Sequence, residues 1–484
     1  MLEAVFLLVM LQALILLLNT MFHHELALGL PWSPSAFQEL KLYAIRHALY
    51  CIIVLAVAWT QWHGIYVIAF MGLVLADVLL ALRIMLALAV QRVPSGTERI
   101  VNSLILFNDG LILAMLLPKV SAWWYLPRDI IFTSYGAYSW LLSVFAFAFA
   151  FWAVRNQLAL LRFSRQLDTV PIEDMNLVQP NQCILITGGS GFIGRHLAQQ
   201  LIEQGHRVII YTRSIPNAAI HFSGKVCLLD DLDTINAQEK IDVLINLAGA
   251  SIAGGRWNTD YKQQILQSRV NTTKDLYHLC ERLEQKPKLL LNASAVGYYG
   301  HQGDHICDET QDGDDSFSHQ LCYTWEQEAD QFTQLGIRVC LLRLGVVLGL
   351  NGGPLAKLLF PFELFLGGRL GDGSQWFSWV HLTDVLRSIV YCINKESLNG
   401  AYNVTAPDPV RNRVLTEVIG KALRRPTLIT LPDKVIKKLL GQLGEELFLF
   451  SIRATSDKIQ LEGFEFKYPR IETALANLLG TKSN

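Results

Sequence analysis

Charged residues are distributed unevenly along this 484-residue chain. The first 166 residues hold 17 Asp, Glu, Lys and Arg residues and the remaining 318 hold 66, so the charge density rises from about 10% to about 21%. The formal net charge is only −1, which does not favour nucleic acid as a partner. A chain divided in this way is not expected to fold as one soluble globule.

Long uncharged segments dominate the first part of the chain. A helix crosses the hydrocarbon core of a bilayer with about 20 apolar residues. Four spans are expected if the stretch Ile100–Pro118 lies in the membrane interface, and five if it crosses. The α-helical membrane bundle is predicted over residues 1–162, with candidate spans near residues 4–22, 46–62, 64–86, 101–118 and 136–154.

Basic residues between the spans predict an orientation. The positive-inside rule places the first and third connections, and everything after residue 155, in the cytosol. We therefore expect a multi-pass protein of a bacterial inner membrane with its N-terminus outside. The basic residues counted for the three cytosolic segments are Lys41, Arg46, Arg83, Arg92, Arg99, Arg155, Arg162 and Arg165.

Two carboxylates, Asp77 and Asp109, fall inside predicted spans. A carboxylate in a bilayer is costly, so a contact with a proton or cation is one hypothesis. The other is a structural role, paired with a nearby residue such as Arg83 or hydrogen-bonded within the bundle. The sequence leaves both open.

Residues 163–181 are polar, contain two prolines and are interpreted as a linker. Apolar strand-like runs such as Cys183–Thr187 and Arg207–Tyr211 then alternate with helical patterns, which predicts a Rossmann-like doubly wound parallel sheet. This domain is expected over 182–422, followed by a small C-terminal substrate or cap domain over 423–480. None of the eight cysteines forms a Cys-x-x-Cys pair or a Cys/His cluster with metal-ligand spacing, so no metal site is predicted.

A glycine-rich segment, TGGSGFIG over 187–194, joins the first strand to the first helix of this domain. Gly188 permits a tight turn, Gly191 lets the backbone approach a pyrophosphate, and Gly194 allows the helix to lie close to the strand. The N-terminus of the helix offers free N–H groups to phosphates. The segment therefore predicts a dinucleotide site.

The second strand indicates which dinucleotide is bound. An acidic residue at its end would hold the ribose 2′-OH of NAD. The strand ends instead in Thr212-Arg213-Ser214, and the Arg213 guanidinium matches the geometry of a 2′-phosphate. NADP is therefore favoured over NAD, with a merely solvated Arg213 as the alternative.

Several further motifs resemble the extended short-chain dehydrogenase/reductases, in particular an atypical branch of the NAD(P)-dependent epimerase/dehydratase family with a C-terminal extension. The resemblance covers about residues 182–480. Its motifs are TGGSGFIG, NLAG at 246–249, SRV at 268–270, SAVGYYG at 294–300, WE at 325–326, RLGVVLG at 343–349, WVHLTD at 379–384 and YNV at 402–404.

The resemblance implies roles for individual residues. The pyrophosphate would be lined by the glycine-rich segment, the 2′-phosphate would meet Arg213, and Asp231-Leu232 would lie near the adenine. A substrate cap would form from 360–378 and the C-terminal domain, with Trp376, Trp379 and His381 as candidates for either substrate contact or packing. The cofactor-binding residues so predicted are Gly188, Ser190, Gly191, Phe192, Ile193, Gly194, Arg213, Leu247, Ala248 and Gly249.

The usual chemistry of that family uses a Tyr, a Lys four residues later and a Ser or Thr that holds the substrate oxygen. At the corresponding place Tyr323 is followed four residues on by Gln327, and a literal match at Tyr391 and Lys395 comes too late in the fold. The catalytic candidates are therefore a displaced serine and two neighbouring phenols, each with packing as the alternative: Ser294, Tyr298 and Tyr299.

Two classes of function follow. The first is a membrane-anchored NADP-binding oxidoreductase or epimerase at the cytosolic face, acting on a carbonyl, sugar-nucleotide-like or membrane-associated small molecule. The second is a non-catalytic NADP(H)-binding module that regulates its membrane domain. A third hypothesis makes the membrane half a transporter or a redox partner that uses Asp77 and Asp109. The expected partners are a small-molecule substrate and the lipid bilayer, and the sequence leaves open whether the chain forms a homodimer.

Overall fold

The computed structural model describes residues 2–91, 94–165, 175–222 and 224–481. The chain divides near residue 167 into two compact units, which we call the helical unit and the sheet unit. Most of the predicted linker lies outside the described residues, and so does Arg92, one of the basic residues used for the orientation. The domain boundaries given above stay a prediction.

The helical unit contains five long helices. Each is long and apolar enough to cross a membrane, so the prediction of a helical bundle is confirmed with five apolar helices rather than four. The helices are α1 (Leu2–Asn19), α2 (Phe37–Trp59), α3 (Tyr66–Gln91), α4 (Gly96–Trp124) and α5 (Ala137–Arg165).

Apolar side chains cover the outside of the helical unit as well as its interior. Phe6 and Val9 of α1 are buried, whereas Leu7 and Leu14 of the same helix are 57% and 46% exposed. A helix that is apolar on every face suits a lipid environment, because water would not solvate its outer surface favourably. The two short strands β1 (Thr60–Trp62) and β2 (Ile130–Phe132) pair antiparallel between these helices.

The predicted span boundaries need correction. α2 begins at Phe37, nine residues before the expected start near residue 46, whereas the apolar span of α3, Tyr66–Leu86, agrees with the expected span near 64–86. Arg46 and Arg83, both counted with the connections, therefore lie within helices. Arg46 is buried because it pairs with carboxylates of two neighbouring helices.

The sheet unit is built on short strands rich in Val, Ile and Leu. Six of the seven strands of its main sheet are mostly buried, which suits a sheet covered on both faces, and the seventh, Cys227–Leu229, lies at an edge. In chain order the strands are β3 (Cys183–Thr187), β4 (Arg207–Tyr211), β5 (Cys227–Leu229), β6 (Val243–Asn246), β7 (Leu289–Ala295), β8 (Ile306–Cys307), β9 (Arg338–Leu344), β10 (Val346–Leu348), β11 (Gly368–Leu370), β12 (Trp376–Phe377), β13 (Trp379–His381), β14 (Gly400–Val404), β15 (Val410–Arg411), β16 (Ile429–Leu431) and β17 (Arg453–Ala454).

Helices connect these strands and cover the sheet. They are α6 (Phe192–Glu203), α7 (Ile215–Phe222), α8 (Thr259–Arg282), α9 (Phe317–Asp330), α10 (Leu355–Glu363), α11 (Leu382–Asn394), α12 (Asn412–Leu423), α13 (Asp433–Gly444), α14 (Asp457–Leu461) and α15 (Ile471–Leu479). Six of them, α6, α7, α8, α9, α11 and α14, turn apolar side chains to the two core clusters of the sheet unit.

The main sheet has the order β14-β9-β7-β6-β3-β4-β5, and every neighbouring pair is parallel. The chain moves outward from β3 through β4 and β5, then returns to the other side of β3 with β6. The strand order therefore reverses between β3 and β6, which opens a crevice at their carboxyl ends where ligands bind in folds of this type. The predicted doubly wound sheet, followed by a small C-terminal region, is confirmed.

Candidate functional site

The glycine-rich segment lies at the mouth of this crevice. Gly188 has φ +68°, a backbone conformation that favours glycine, and a Cβ there would lie 2.6 Å from the Leu247 carbonyl oxygen. The Gly191 N–H donates to the Gly188 carbonyl at 2.9 Å and closes the turn. A side chain at Gly194 would overlap the Gly188 carbonyl, so α6 can approach β3 this closely only through glycine.

Helix α6 starts without a side-chain cap. Its N-cap residue is Gly191, which has no side chain to accept the first N–H groups of the helix. The first N–H groups of a helix have no partner within the helix, and they form an anion site together with the positive end of the helix dipole. Around this start Gly191 is exposed and Ser190, Phe192 and Ile193 are half-buried. The cradle fits a pyrophosphate, so the residues present fit a dinucleotide.

Buried polar side chains fix the ends of β3 and β6 relative to each other. The Thr187 hydroxyl donates to Asn246 Oδ1 at 2.6 Å and accepts the Ala248 N–H at 3.2 Å. Asn246 Nδ2 donates in turn to Asn292 Oδ1 of β7 at 2.6 Å and to the Thr273 hydroxyl at 2.9 Å. These groups form a rigid floor under the crevice.

The loop after β6 rests on a buried guanidinium. Arg269 of α8 donates to the Ala250 carbonyl at 3.2 Å, and a Cβ on Gly249 would lie 2.6 Å from its Cζ. Its guanidinium also lies 5.1 Å from the Trp325 ring centroid. Burial lowers the pKa of Arg269. Leu247, Ala248 and Gly249 are accessible at this edge, as a role in binding a nucleotide would require.

Arg213 lies just beyond β4, the other neighbour of β3. It is exposed and follows Tyr211, which is paired in register with Thr187. The Ile210 side chain lies directly under Gly189, where a Cβ would come within 2.8 Å of it. The guanidinium therefore belongs to the same carboxyl edge as the glycine-rich segment.

The catalytic candidates occupy different environments. Ser294 at the end of β7 is buried and donates to Glu326 Oε1 at 2.5 Å. Tyr299 is fully buried and its hydroxyl donates to Asn403 Oδ1 at 2.7 Å. Burial raises the pKa of Tyr299. Both hydroxyls thus already donate to buried acceptors.

Arg343 of β9 joins these groups into one network. Its Nε and Nη2 donate to the two carboxylate oxygens of Glu326 at 3.0 and 2.9 Å, and its Nη1 donates to the Tyr299 hydroxyl at 3.2 Å. Burial alone would lower the pKa of Arg343, but the bonds and charge of Glu326 raise it. A buried bidentate pair of this kind is sensitive to the loss of either partner.

Tyr298 is the half-buried member of the three candidates. The Arg343 guanidinium lies 3.4 Å from its ring centroid, and the His319 ring lies 5.2 Å away. Burial raises the pKa of Tyr298, and the Arg343 charge opposes that rise. The phenol is therefore neutral near pH 7, with a cation beside it.

The helix in which the usual Tyr-Lys pair is expected brings two other side chains next to Ser294. α9 carries Cys322 and Glu326 four residues apart, both buried and adjacent to Ser294. Burial raises the pKa of the Cys322 thiol to about 11, and the Glu326 carboxylate adds to the rise. The thiol is therefore protonated near neutral pH and a poor nucleophile. Tyr323, the tyrosine considered from the sequence, is 47% exposed.

The residues of the later Tyr-Lys match make structural contacts with the C-terminal region. Tyr391 and Lys395 lie on α11, and the Tyr391 hydroxyl donates to the Glu462 carbonyl at 2.6 Å. The Lys395 ammonium pairs with the Glu462 carboxylate at 2.9 Å. Both side chains therefore attach α11 to the C-terminal region.

The three candidates for the substrate cap also differ in burial and in hydrogen-bond partners. Trp379 is fully buried and its ring N–H donates to the Asp408 carbonyl, while His381 is buried and caps α11 through the Thr383 N–H. Trp376 is half-buried, with its ring N–H donating to Asp304 Oδ1 at 2.8 Å. Asp231 is exposed and its side chain caps a short turn over Leu232–Thr234. Of the three cap candidates, Trp376 is the most accessible.

Sequence reasoning missed four residues of this region: Cys322, Arg343, Arg269 and Asn403. A signal existed for the first, because Cys322 directly precedes Tyr323 in the stretch where a Tyr-Lys pair is expected. For the others the signal was the motifs themselves, SRV, RLG and YNV, which were noted without roles. The predicted cofactor and catalytic residues stay predictions.

Comparison with known proteins agrees with this architecture. The NAD dependent epimerase/dehydratase family matches residues 184–405, and a domain of unknown function (DUF1731) matches residues 431–478. An epimerase family protein of Staphylococcus aureus (strain MRSA252) is 35% identical over 301 residues, which cover 61% of this chain and 98% of the relative.

Two solved structures are similar to the sheet unit. The human epimerase family protein SDR39U1, crystallised with NADPH, is 29% identical with a TM-score of 0.56, covering 62% of this chain and 99% of that one. A nucleoside-diphosphate sugar epimerase from Corynebacterium glutamicum is 28% identical with a TM-score of 0.51, covering 73% of this chain and 69% of that one. The resemblance noted from the motifs is confirmed: the chain belongs to the NAD dependent epimerase/dehydratase family, with the family's C-terminal extension.

Proposed function

We propose that this chain is a membrane-anchored, NADP(H)-dependent oxidoreductase or epimerase. The observation that carries the proposal is the glycine cradle beside the uncapped start of α6, at the point where the strand order reverses. NADP is favoured over NAD because Arg213 ends the second strand where NAD would need a carboxylate. The NADPH in the human relative supports the same preference.

The chain's own residues divide the work of binding. Gly188, Ser190 and Gly191, with the first N–H groups of α6, would hold the pyrophosphate. Arg213 would hold the 2′-phosphate, and 247–249 would border the ribose. When bound, the nicotinamide ring supplies or accepts the hydride.

We assign the proton donor to Tyr298. The hydroxyls of Ser294 and Tyr299 are already engaged with Glu326 and Asn403, whereas Tyr298 is half-buried. A neutral phenol can give a proton to a developing alkoxide, and the adjacent Arg343 cation would stabilise the phenolate left behind. Arg343 would thereby replace the lysine of the usual pair.

The test uses the full chain in lipid nanodiscs. NADPH oxidation is followed against a panel of carbonyl compounds, and sugar nucleotides are checked for epimerised products. With any substrate that turns over, Tyr298→Phe should lower kcat by about 100-fold or more, as expected when a proton donor is lost. Tyr323→Phe is the matched control, an exposed phenol on α9 whose loss should leave kcat unchanged.

A second candidate function is a non-catalytic NADP(H)-binding module that regulates the helical unit. The observation that favours it is the absence of the usual Tyr-Lys pair at its expected place, where Tyr323 is followed by Gln327 and the neighbouring Cys322 thiol is protonated near neutral pH. Tight NADPH binding with no turnover across the panel would support this function and contradict the first. Turnover with an unchanged kcat in Tyr298→Phe would instead remove Tyr298 from its role.

The anchor suits a substrate that is attached to lipid or partitions into the bilayer. Five apolar helices with exposed apolar surfaces support a membrane location. Basic residues after the last helix favour the cytosolic side for the sheet unit. We therefore propose that the site works at the cytosolic face of the membrane, on a small molecule that the surface brings within reach.

A further inference from the structure

A buried cluster of charged and polar side chains lies inside the helical unit. Arg46 of α2 donates from Nε to Asp77 Oδ1 of α3 at 3.2 Å, and from Nη2 to Asp109 Oδ2 of α4 at 3.4 Å. All three side chains are at most 6% exposed. Two carboxylates therefore share one guanidinium in an interior that excludes water.

Neutral groups from α1 and α4 complete the cluster. Gln12 Nε2 donates to Asp109 Oδ1 at 2.5 Å, and Asn108 Nδ2 donates to Gln12 Oε1 at 2.9 Å. Arg155 of α5 pairs with Glu25, and His47, the residue after Arg46 in α2, bonds to the Thr20 hydroxyl. Among the described residues, Arg46 is therefore the one cation that pairs with Asp77 and Asp109.

The charges of this cluster do not balance. Two ionised carboxylates against one guanidinium leave one negative charge in the core of an apolar bundle, where an uncompensated ion is strongly disfavoured. One bound positive charge would restore neutrality. The surplus therefore points to a monovalent cation as the ligand.

A small cavity adjoins the two carboxylates. Its volume is about 20 Å³, which is room for a single water molecule. Asp77, Asp109 and Tyr50 line it together with aliphatic side chains such as Val9 and Ile112. Tyr50 is 3% exposed, and within the described part of the chain its hydroxyl has no hydrogen-bond partner. This polar group therefore faces a cavity that can hold a ligand.

We propose that Asp77 and Asp109 form a binding site for one exchangeable proton, shared through the cavity with Tyr50. The proton joins a carboxylate oxygen on entry and leaves to water on exit, so the site cycles between net charges of zero and −1. Hard metal cations take a full shell of oxygen ligands, whereas this cavity offers two carboxylates and one hydroxyl among aliphatic walls. The inference concerns the interior of the helical unit alone and stands apart from the nucleotide site.

The test is infrared difference spectroscopy of the full chain in lipid nanodiscs, titrated with choline as the buffer cation. We expect a carbonyl band of a protonated carboxylic acid that corresponds to one proton per chain and disappears as the pH rises. Asp77→Asn and Asp109→Asn should each abolish it, because the remaining carboxylate then pairs with Arg46 alone. Asp129→Asn, an exposed carboxylate after α4, is the matched control and should leave the band unchanged.

Further measurements can contradict the proposal even if the aspartate variants do not fold. Tyr50→Phe removes only the hydroxyl, and it should shift the frequency of the band while leaving one proton per chain. A wild-type protein with no titrating band would overturn the proposal, and so would a band that survives both aspartate substitutions. Suppression of the band when sodium replaces choline at constant pH would assign the site to sodium and overturn the proposal that it binds a proton.

Discussion

At the scale of single residues, strand register explains how the candidate site is assembled. Ser294 of β7 is paired in register with Arg343 of β9, which is paired in turn with Asn403 of β14. Three residues from motifs 49 and 60 positions apart thus lie side by side on neighbouring strands. Glu326 reaches the same row from α9 and neutralises the guanidinium.

The buried Glu326–Arg343 pair leads to a prediction about stability. Glu326→Gln removes the charge that compensates Arg343 and should lower the free energy of unfolding by about 3 kcal/mol or more. Glu328→Gln on the same helix breaks only a pair with the exposed Lys274 and should cost about 1 kcal/mol at most. Urea unfolding of a 175–484 fragment measures both, since the family models match residues 184–405 and 431–478 of this part. Equal costs would contradict a stabilising role for the pair.

Gly188 allows a sharper test of the cradle. Gly188→Ala places a Cβ 2.6 Å from the Leu247 carbonyl and should weaken NADPH binding by about tenfold or more, because the turn must move. Gly205→Ala is the matched control, since Gly205 also has a positive φ, +83°, but a Cβ there meets nothing within 4 Å. In both variants an alanine at positive φ costs about 1–2 kcal/mol of backbone energy. Only Gly188→Ala should affect NADPH binding in calorimetric titration. Unchanged NADPH binding in Gly188→Ala would argue against the cradle.

At the scale of elements, the sequence was most reliable where an apolar run was bounded by turn residues. β3 and β4 occupy the predicted ranges Cys183–Thr187 and Arg207–Tyr211. The ends of the five long apolar helices were harder to predict, because charged residues were used to mark them. Arg46 lies within α2, where Asp77 and Asp109 compensate it, so its charge did not mark a connection.

The same limit applies to the candidate site. The glycine-rich turn is local in sequence, so its place at the crevice could be predicted. The engagement of Ser294 and Tyr299 depends on Glu326, Arg343 and Asn403, which only the sheet brings together. No spacing rule along the chain encodes those contacts.

The N-cap of α11 gives a pH-dependent prediction. Burial lowers the pKa of His381 to about 3, whereas an unfolded histidine keeps a pKa of about 6.5. Above about pH 6.5 both states are neutral. Below it the unfolded state alone binds the proton, so the free energy of unfolding falls by about 1.4 kcal/mol per pH unit from this group.

Replacing His381 should therefore reduce acid sensitivity. Asn also caps helices well, so His381→Asn should keep the cap and remove one proton's share of the slope between about pH 6 and about pH 5. Urea unfolding of the same fragment at several pH values measures it. His278→Asn, at an exposed histidine, should leave the slope as in the wild type. An unaltered slope in His381→Asn would contradict a neutral buried imidazole.

At the scale of the whole molecule, a complete family domain follows a set of apolar helices. Two of the three relatives reported above align with about three-fifths of the chain and nearly all of their own length, and the family models match residues 184–405 and 431–478, which follow the five apolar helices. Composition alone separated the two parts, since lipid-facing helices carry few charges. The partner of Asp77 and Asp109 was not predictable in the same way: Arg46 pairs with both, whereas the sequence suggested Arg83.

The proposed topology predicts the outcome of reporter fusions in a bacterial host. A reporter that works only in the cytosol should be active when fused after residue 166, and inactive when fused within the connection between α4 and β2. Alkaline phosphatase, which needs the outside, should give the opposite pattern at both positions. Phosphatase activity after residue 166 would contradict a cytosolic sheet unit.

Binding of NADPH and NADH to the full chain in nanodiscs tests the central claim most directly. The account predicts that NADPH binds more tightly than NADH, and that Arg213→Glu weakens NADPH binding by about tenfold or more, since charge-assisted hydrogen bonds to the 2′-phosphate are lost. NADH binding should not weaken in that variant, because NADH has no 2′-phosphate and a carboxylate at this position can hold its ribose 2′-OH. Equal affinity for the two nucleotides, or an Arg213→Glu protein that binds NADPH like the wild type, would contradict the account.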